Sequence, residues 1–480
     1  MTTRNIITKL LALFFTTVLF MQTGCDSKEL QIFSPPITGT AAAKFYLSTP
    51  SKTSLLALQT TGIIPFTAND NFTITVSENT TYQSIDGFGY SLTGGSAMLI
   101  NNMSPSAKTE ILEELFGQGE NSLAVSYLRI SIGASDLDSA VFSYNDLPVG
   151  QTDVPQNSFS IAPDLVHLIP ILKRIKAINP NVKIMASPWS APTWMKTNGS
   201  SVNGSLQTAY YASYATYFQK YIQAMQANGI FIDAVTIQNE PENPFNNPSM
   251  VMTAPQQANF IKNNLGPVLQ AAGIRSKIII FDHNLDNVNY PISILNDAAA
   301  NQYIDGSAFH LYAGQIENMS QVHNAHPNKN IYFTEQWIQA PGNFQEDIKW
   351  HLRELIIGAT RNWSKTVLEW NLASNPTNGP NTPGGCTKCL GAITINGSTV
   401  TRNSAYYIIG HASKWVKPGS IRIGSNSSVE LPNVAFKTPD NKIVVIVLNN
   451  TTTQKSFNIS AAGKPVSTKL PAGSVGTYVW

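Results

Sequence analysis

From about residue 83 the chain repeats one pattern. A short β-branched or apolar run closes on polar or aromatic residues, and an amphipathic helical stretch follows. Eight such runs occur, at Gln83–Phe88, Val125–Ile130, Lys183–Ala186, Ala234–Ile237, Lys277–Phe281, Gly306–Phe309, Asn330–Phe333 and Thr366–Leu368. Helical periodicity lies between most of them, at Ser104–Phe116, Asp164–Ile178, Thr208–Asn228, Pro255–Ala272 and Phe344–Thr360. Ser104 is placed to cap its helix and Pro105 suits the first turn. Strands alternating with helices predict a parallel sheet. Eight units over some 300 residues predict a closed (β/α)8 barrel, an α/β fold, in residues 81–400. An open doubly wound sheet is the alternative, but no G-x-G-x-x-G follows the first run.

The two ends lack helical period. Residues 41–80 and 401–480 carry short Val/Ile/Thr runs such as Ile443–Leu448, which predict antiparallel strands. One β-sandwich built from both ends is the economical arrangement. Ahead of it, Arg4 and Lys9 precede a 12-residue apolar stretch, Leu10–Met21, too short for a membrane span but suited to a signal peptide over residues 1–25. It closes on Gly24-Cys25, similar to a bacterial lipobox, although Gln22 departs from the aliphatic residue expected there. Lipidation at Cys25 and a tether over 26–40 are therefore expected, in an exported protein anchored in the cell envelope. An ordinary cleaved signal is the alternative.

Only 12% of the 480 residues are charged, about half the usual share of roughly 25%. Aromatics make up 10%, and the formal charge is +2. Such a chain can bury a large core, and its balance argues against nucleic acid as a partner. The other two cysteines stand in Cys386-Thr387-Lys388-Cys389. A lone C-x-x-C without a second pair or a nearby His is a poor zinc site; a local disulfide is expected in an exported protein.

In a (β/α)8 barrel the chemistry sits at the C-terminal strand ends. The runs close on Asp86-Gly87-Phe88-Gly89, on Arg129 with Asp136 and Asp138 beyond it, on Trp189 and Trp194, on Gln238-Asn239-Glu240-Pro241, on Asp282-His283-Asn284, on His310-Leu311-Tyr312, on Thr334-Glu335-Gln336-Trp337 and on Glu369-Trp370-Asn371. Glu240 and Glu335 follow strands four and seven, which face each other across a barrel mouth. Two opposed carboxyl groups are what glycoside hydrolysis requires, one giving a proton and one attacking or activating water. Any single Glu is more often an exposed surface residue, and Glu369 and Glu242 rank below these two. The ionised attacker is expected to raise its neighbour's pKa. Arg129 can hold the attacker ionised, and Asn239 can donate to a sugar 2-hydroxyl. Trp189, Trp337, Trp370 and Tyr312 offer flat faces for a sugar ring, with rim packing as the alternative use. His310 reads as a polar wall residue, and nothing suggests a metal or another cofactor.

Asp86-Gly87-Phe88-Gly89, Gln238-Asn239-Glu240-Pro241, Phe333-Thr334-Glu335 and Trp370-Asn371 together resemble glycoside hydrolase family 30, from about residue 80 to the C-terminus. The resemblance implies a barrel fused to a β-sandwich, retention of configuration, Glu240 as acid/base and Glu335 as nucleophile. It also places Arg129, Trp189, Asn239, Tyr312 and Trp370 around the reacting sugar. Glucosylceramidases of the family carry an Asp where this chain has Gly94, and His-Trp-Tyr where it has His310-Leu311-Tyr312. The Asp282-His283-Asn284 loop and the C-x-x-C look more like the bacterial β-1,6-glucanases. The expectation is a monomeric retaining enzyme acting on β-1,6-glucan. A glucosylceramidase, β-glucosidase or xylanase of the family is the second reading, and a glycan-binding lipoprotein without catalysis the third.

Overall fold

The structure is a computed structural model that describes residues 43–480. The expected signal peptide, tether and Cys25 lie outside the described residues. Among the described residues no helix is long and apolar enough to cross a membrane.

Eight parallel strands close into a barrel in chain order: β1 (Gly87–Ser91), β2 (Tyr127–Ile132), β3 (Lys183–Pro188), β4 (Ala234–Thr236), β5 (Lys277–Asn284), β6 (Ile304–His310), β7 (Asn330–Glu335) and β8 (Ser364–Asn371). β8 pairs back onto β1 through Thr366↔Gly87 and Leu368↔Gly89. Alternation along each strand sorts residues between the helix layer and the barrel interior. Tyr127, Met185, Ala234, Ile279, Ala308, Tyr332 and Leu368, one from each of β2–β8, form a separate apolar cluster inside the ring. Two residues further along the same face stand Arg129, Ser187, Thr236, His310, Thr334 and Trp370. The interior therefore turns from an apolar plug to a polar layer within one step of the pleat.

β5 reaches that layer differently. Its pairing with β6 runs Ala308↔Phe281 and then Phe309↔His283, so one extra residue is inserted at Asp282. Phe281 and Asp282 both have positive φ, 70° and 66°. This β-bulge turns Phe281 into the outer core and brings Asp282 to the inner face.

The Asp86-Gly87-Phe88-Gly89 motif is the first strand itself, not its functional end. Asp86 sits at the opposite mouth, paired with Lys183 Nζ at 2.9 Å at the start of β3. The two glycines let β2 approach: a Cβ on Gly89 would lie 1.8 Å from the Tyr127 carbonyl oxygen. The β-like pattern runs on from Gln83, near the end of the long sandwich strand Thr73–Ser84, so alternation alone hides the passage between the two layers.

In the sandwich, Lys44–Ser48 and Thr73–Ser84 are interleaved with C-terminal strands. Lys44–Ser48 pairs with Val475–Val479, and Thr73–Ser84 lies between Ile421–Ser425 and Lys455–Ser460. The expected boundary at residue 400 falls short of the barrel's last helix, Ser404–Ser413. That helix packs on β1 and is buried on nearly all sides, so it lacks the amphipathic stripe by which a helix is read. Its buried His411 meets Ser48 Oγ and Thr477 Oγ1, each at 2.8 Å, tying barrel to sandwich.

Gly89→Ala is expected to lower stability by about 2–4 kcal/mol, because the obstacle is backbone. Gly119→Ala, whose added Cβ finds nothing closer than 3.8 Å, should stay within about 0.5 kcal/mol of the parent. Denaturant unfolding of the two variants checks this.

Candidate active site

Arg129 stands at the centre of the polar layer with no exposure. Its NH1 donates to Glu335 Oε2 at 2.6 Å, and its NH2 donates to Asp282 Oδ2 at 2.8 Å and to Asn239 Oδ1 at 2.6 Å. The guanidinium lies over Trp189, 4.8 Å from the ring centre, and Trp189 stacks on Trp370 at 5.4 Å. Asp282 is saturated. Its Oδ2 also accepts from Ser187 and Thr236, and its Oδ1 from Thr334 Oγ1 at 2.7 Å and His310 Nε2 at 3.1 Å.

Glu240 follows β4 with φ of 47°, a left-handed conformation held by its N–H donating to the Asp282 carbonyl at 3.0 Å. Its Oε1 faces His310 Nδ1 at 3.2 Å, and its Oε2 accepts from Asn243 and Asn246 at 2.7 and 3.1 Å. Glu335 Oε1 accepts from the Tyr312 hydroxyl at 3.0 Å. One carboxylate oxygen of Glu240, one of Glu335 and a ring nitrogen of His310 lie within 4.8 Å of one another. That spacing can in principle hold a cation, but a His310 donating from both nitrogens has no lone pair to offer.

These groups open into a cleft of about 500 Å³ lined by Asp136, Trp189, Glu240, Tyr312, Glu335, Trp337 and Trp370, among others. Trp189 and Trp370 are almost fully buried, so they line the cleft without presenting two free faces to it. Asn239 is largely buried, its Oδ1 fixed by Arg129 and its Nδ2 left unpartnered among the described residues. Trp194 turns away and donates to the Asn145 carbonyl. Glu369 points out of the barrel to His351 Nδ1 at 2.7 Å, because its neighbour Trp370 holds the inward position. Glu242 is at the rim, bonded to Asn287.

Cys386 and Cys389 are joined by a disulfide that lines the cleft. The loop is held by a two-residue ladder, Ile338↔Leu390 and Gln339↔Cys389, which attaches it to the segment just past Glu335.

The sequence profile of the glycosyl hydrolase family 30 TIM-barrel domain matches residues 85–416, and that of the family's beta sandwich domain matches residues 419–478. The chain belongs to glycosyl hydrolase family 30. It is 34% identical to an endo-1,6-beta-D-glucanase of Aspergillus fumigatus, over 83% of this chain and 85% of that one. It is 27% identical to the lysosomal acid glucosylceramidase of Mus musculus, over 85% and 83%. The solved endo-beta1,6-glucanase BT3312 superposes with a TM-score of 0.85 at 37% identity, covering 91% of this chain and 99% of that structure.

In this family 30 enzyme His310 governs the charge of the pair. Burial disfavours its charged form, but Glu335, Asp282 and Glu240 outweigh burial and lift it to about 9. Burial likewise opposes ionisation of Asp282, yet Arg129 and His310 hold it well below the usual carboxylate range. Glu240 is brought down to about 2: burial works against this, and the hydrogen bond and charge of His310 prevail. Glu335 goes the other way, raised by burial, with His310 and Arg129 offsetting only part. A protonated His310 contacts Glu240 directly, so the two carboxyl groups are shifted in the sense opposite to a proton on Glu240 beside an ionised Glu335.

Several functional positions escaped the sequence reading: Asp282 as the hub, His310 as more than a wall, Asn243 and Asn246 as holders of Glu240. The dense Asn/Pro run Glu242–Pro248 was the available signal for a shaped loop. At the space above Gly94, the loop after β2 fills in. A Cβ on Gly94 would lie 1.6 Å from Asp138 Oδ1, so Asp138 occupies the volume a side chain there would need.

A group whose pKa rises on folding stabilises the protein below its unfolded pKa, about 6.5 for His, and that gain is lost as pH climbs through the folded value. For His310 the window is about 6.5 to 9. Stability is expected to fall across this range in the parent, and to fall less steeply in His310→Gln. Denaturant titrations at several pH values measure both slopes.

Proposed function

We propose that this glycoside hydrolase cleaves β-1,6-linked glucan with retention of configuration, by double displacement through a covalent glycosyl-enzyme. The observation that carries the reading is the approach of Glu240 and Glu335 to within 4.8 Å across the cleft. Double displacement works at roughly 5–5.5 Å, whereas inversion needs about 6.5–9.5 Å for an intervening water. The linkage follows the endo-1,6-glucanases among the relatives, and the aromatic-lined cleft, whose lining holds no lysine or arginine, suits a neutral glucan.

Glu335 is the nucleophile, aimed by Arg129 and Tyr312. Glu240 is the acid/base, and the proton it needs is stored on His310 Nδ1, 3.2 Å away. Transfer along that hydrogen bond arms Glu240 as the leaving oxygen departs. Attack by Glu335 on carbon 1 breaks the glycosidic bond and removes one negative charge from the cluster. Water then gives a proton to Glu240 while its oxygen bonds to carbon 1 and displaces the Glu335 carboxylate, and the proton returns from Glu240 to His310. Asn239 Nδ2 is free to donate to the 2-hydroxyl, a bond that strengthens in the transition state. Trp189, Trp337 and Trp370 exclude water from the wall. A glucosylceramide substrate is disfavoured by the Gly94 position, where Asp138 now stands. We further propose that the enzyme works as a monomer, exported and lipidated at Cys25, on the strength of the apolar stretch ending in Gly24-Cys25; a mature N-terminus starting elsewhere, read by mass spectrometry, would refute the anchor.

Glu240→Gln is expected to lose about 10²–10⁴ in kcat on β-1,6-glucan, the range general acid–base catalysis supplies. Glu335→Gly should be inactive, with azide restoring turnover and giving the α-glycosyl azide. The parent should release β-anomeric products first, read by NMR during hydrolysis. An α-anomer from the parent rules out retention, and an inert β-1,6-glucan rules out the substrate.

A further inference from the structure

The loop after β4, residues 242–249, contains no helix or strand, yet it holds the carboxyl of Glu240. Glu240 Oε2 accepts from Asn243 Nδ2 and Asn246 Nδ2, and both amides ride on this loop. The carboxyl is therefore placed only as well as the loop is fastened. The far end of the loop is tied to the loop after β3. The Ser249 N–H donates to the Ser201 carbonyl at 2.9 Å, and the Ser249 carbonyl accepts from the buried Lys196 Nζ at 2.7 Å. The tip supplies no anchor, since Phe245 is 84% exposed.

Asn247 supplies the remaining fastening, one residue beyond Asn246. Its Oδ1 accepts from Ser201 Oγ at 2.9 Å, its Nδ2 donates to the Pro383 carbonyl at 2.9 Å, and its own carbonyl accepts from Thr382 Oγ1. Among the described residues, the last two are the only hydrogen bonds that join residues 242–249 to the loop after β8. β4 and β8 stand opposite each other in the ring, so this bridge is a strap across the mouth. Its far footing is firm. Thr382 is fully buried; its N–H donates to the Asp136 carbonyl and its carbonyl accepts from the Gly385 N–H, each at 2.9 Å. The disulfide follows at Cys386, and its second half, Cys389, pairs with Gln339 just past Glu335. The loop that holds one carboxyl is thus referenced to the strand that carries the other.

We infer that Asn247 and Thr382 are positioning residues for Glu240: the bridge between them holds Asn246, and through it the Glu240 carboxyl, where the leaving oxygen can be protonated. The inference rests on the proposed acid/base role of Glu240. When Glu335 attacks carbon 1, the electron pair of the breaking bond goes to the leaving oxygen, which takes its proton from Glu240. That transfer requires hydrogen-bond reach, and a misplacement of about 1 Å costs about 10²-fold. The attack itself does not draw on the strap, because Glu335 is aimed by Arg129 and Tyr312. A leaving group that is stable as an anion departs without the proton and is indifferent to where Glu240 points.

The test measures kcat/KM for two aryl β-gentiobiosides, one releasing phenol and one releasing 2,4-dinitrophenol, with the parent, Asn247→Ala, Thr382→Val and Thr382→Ser. This ratio compares the transition state of bond cleavage with free enzyme and substrate. Phenol needs the proton to leave and dinitrophenol does not. Asn247→Ala and Thr382→Val should lose about 10–10² on the phenyl substrate and stay within about threefold of the parent on the dinitrophenyl one. Thr382→Ser keeps the hydroxyl and should recover most of the phenyl activity. Thr382→Val is close in shape to the parent and serves if Asn247→Ala does not fold. Thr382 Oγ1 also reaches the Asp136 carbonyl at 3.3 Å, but damage passed that way to the rest of the cleft lowers both substrates alike. An equal loss on the two substrates, or no loss on either, overturns the inference. Glu240→Gln is the control and should show the same dependence on the leaving group, more steeply. If it discriminates and the strap variants do not, the inference alone fails; if it loses both substrates alike, the acid/base role fails and the inference falls with it. If the parent leaves gentiobiosides intact but hydrolyses another β-glucoside, only the β-1,6 linkage fails, and the same two leaving groups on that glucoside decide the strap.

Discussion

The site depends on the buried bond between Arg129 and Asp282. A guanidinium taken wholly out of water is tolerated only when anions and acceptors surround it, and removing one partner of such a pair costs about 3–5 kcal/mol. Asp282 anchors Arg129 on one side, and this leaves the other side of the fork to Glu335 and Asn239. The same aspartate fixes His310, which in turn faces Glu240. Both carboxylates of the proposed reaction are thus oriented from one point. Neither needs a direct contact with the other.

That point exists because of a backbone irregularity. A regular β5 would put Phe281 where Asp282 stands, and the polar layer would lose its anion. Two consecutive left-handed residues achieve the exchange, and Glu240 adds a third just past β4, hydrogen-bonded to the same peptide. Strained residues gathered around one site persist only where packing over-determines them. Here the plug beneath them is one tight apolar layer, which gives the strain a rigid floor.

The barrel was legible because its evidence is repetitive: eight runs, eight polar ends, helices between. The glutamates were legible because each follows a strand on opposite sides of a ring. Asp282 was seen as a strand-end residue but not as a hub, since a bulge leaves no trace in alternation. Asp86 was misplaced for a related reason: a polar residue flanking an apolar run marks an end without saying which end. The helix Ser404–Ser413 was lost because a helix buried all round shows no stripe. The proton order in the pair depended on the orientation of one imidazole, which no spacing in the sequence encodes.

The weave of the sandwich bears on how the molecule is made. Lys44–Ser48 and Ile443–Leu448 flank Val475–Val479, so the middle of that sheet is filled by nearly the last residues of the chain. During synthesis the early strands emerge with apolar faces and no partner, and must wait while the whole barrel is produced. Pairings of such long sequence separation close slowly. Until Tyr478 arrives opposite Phe45 there is an open strand edge on each side of the gap, a hazard for association with other chains. A chain cut before Val475 would therefore behave less like a shortened enzyme than like one still waiting for the strand that joins the two sides of its sheet.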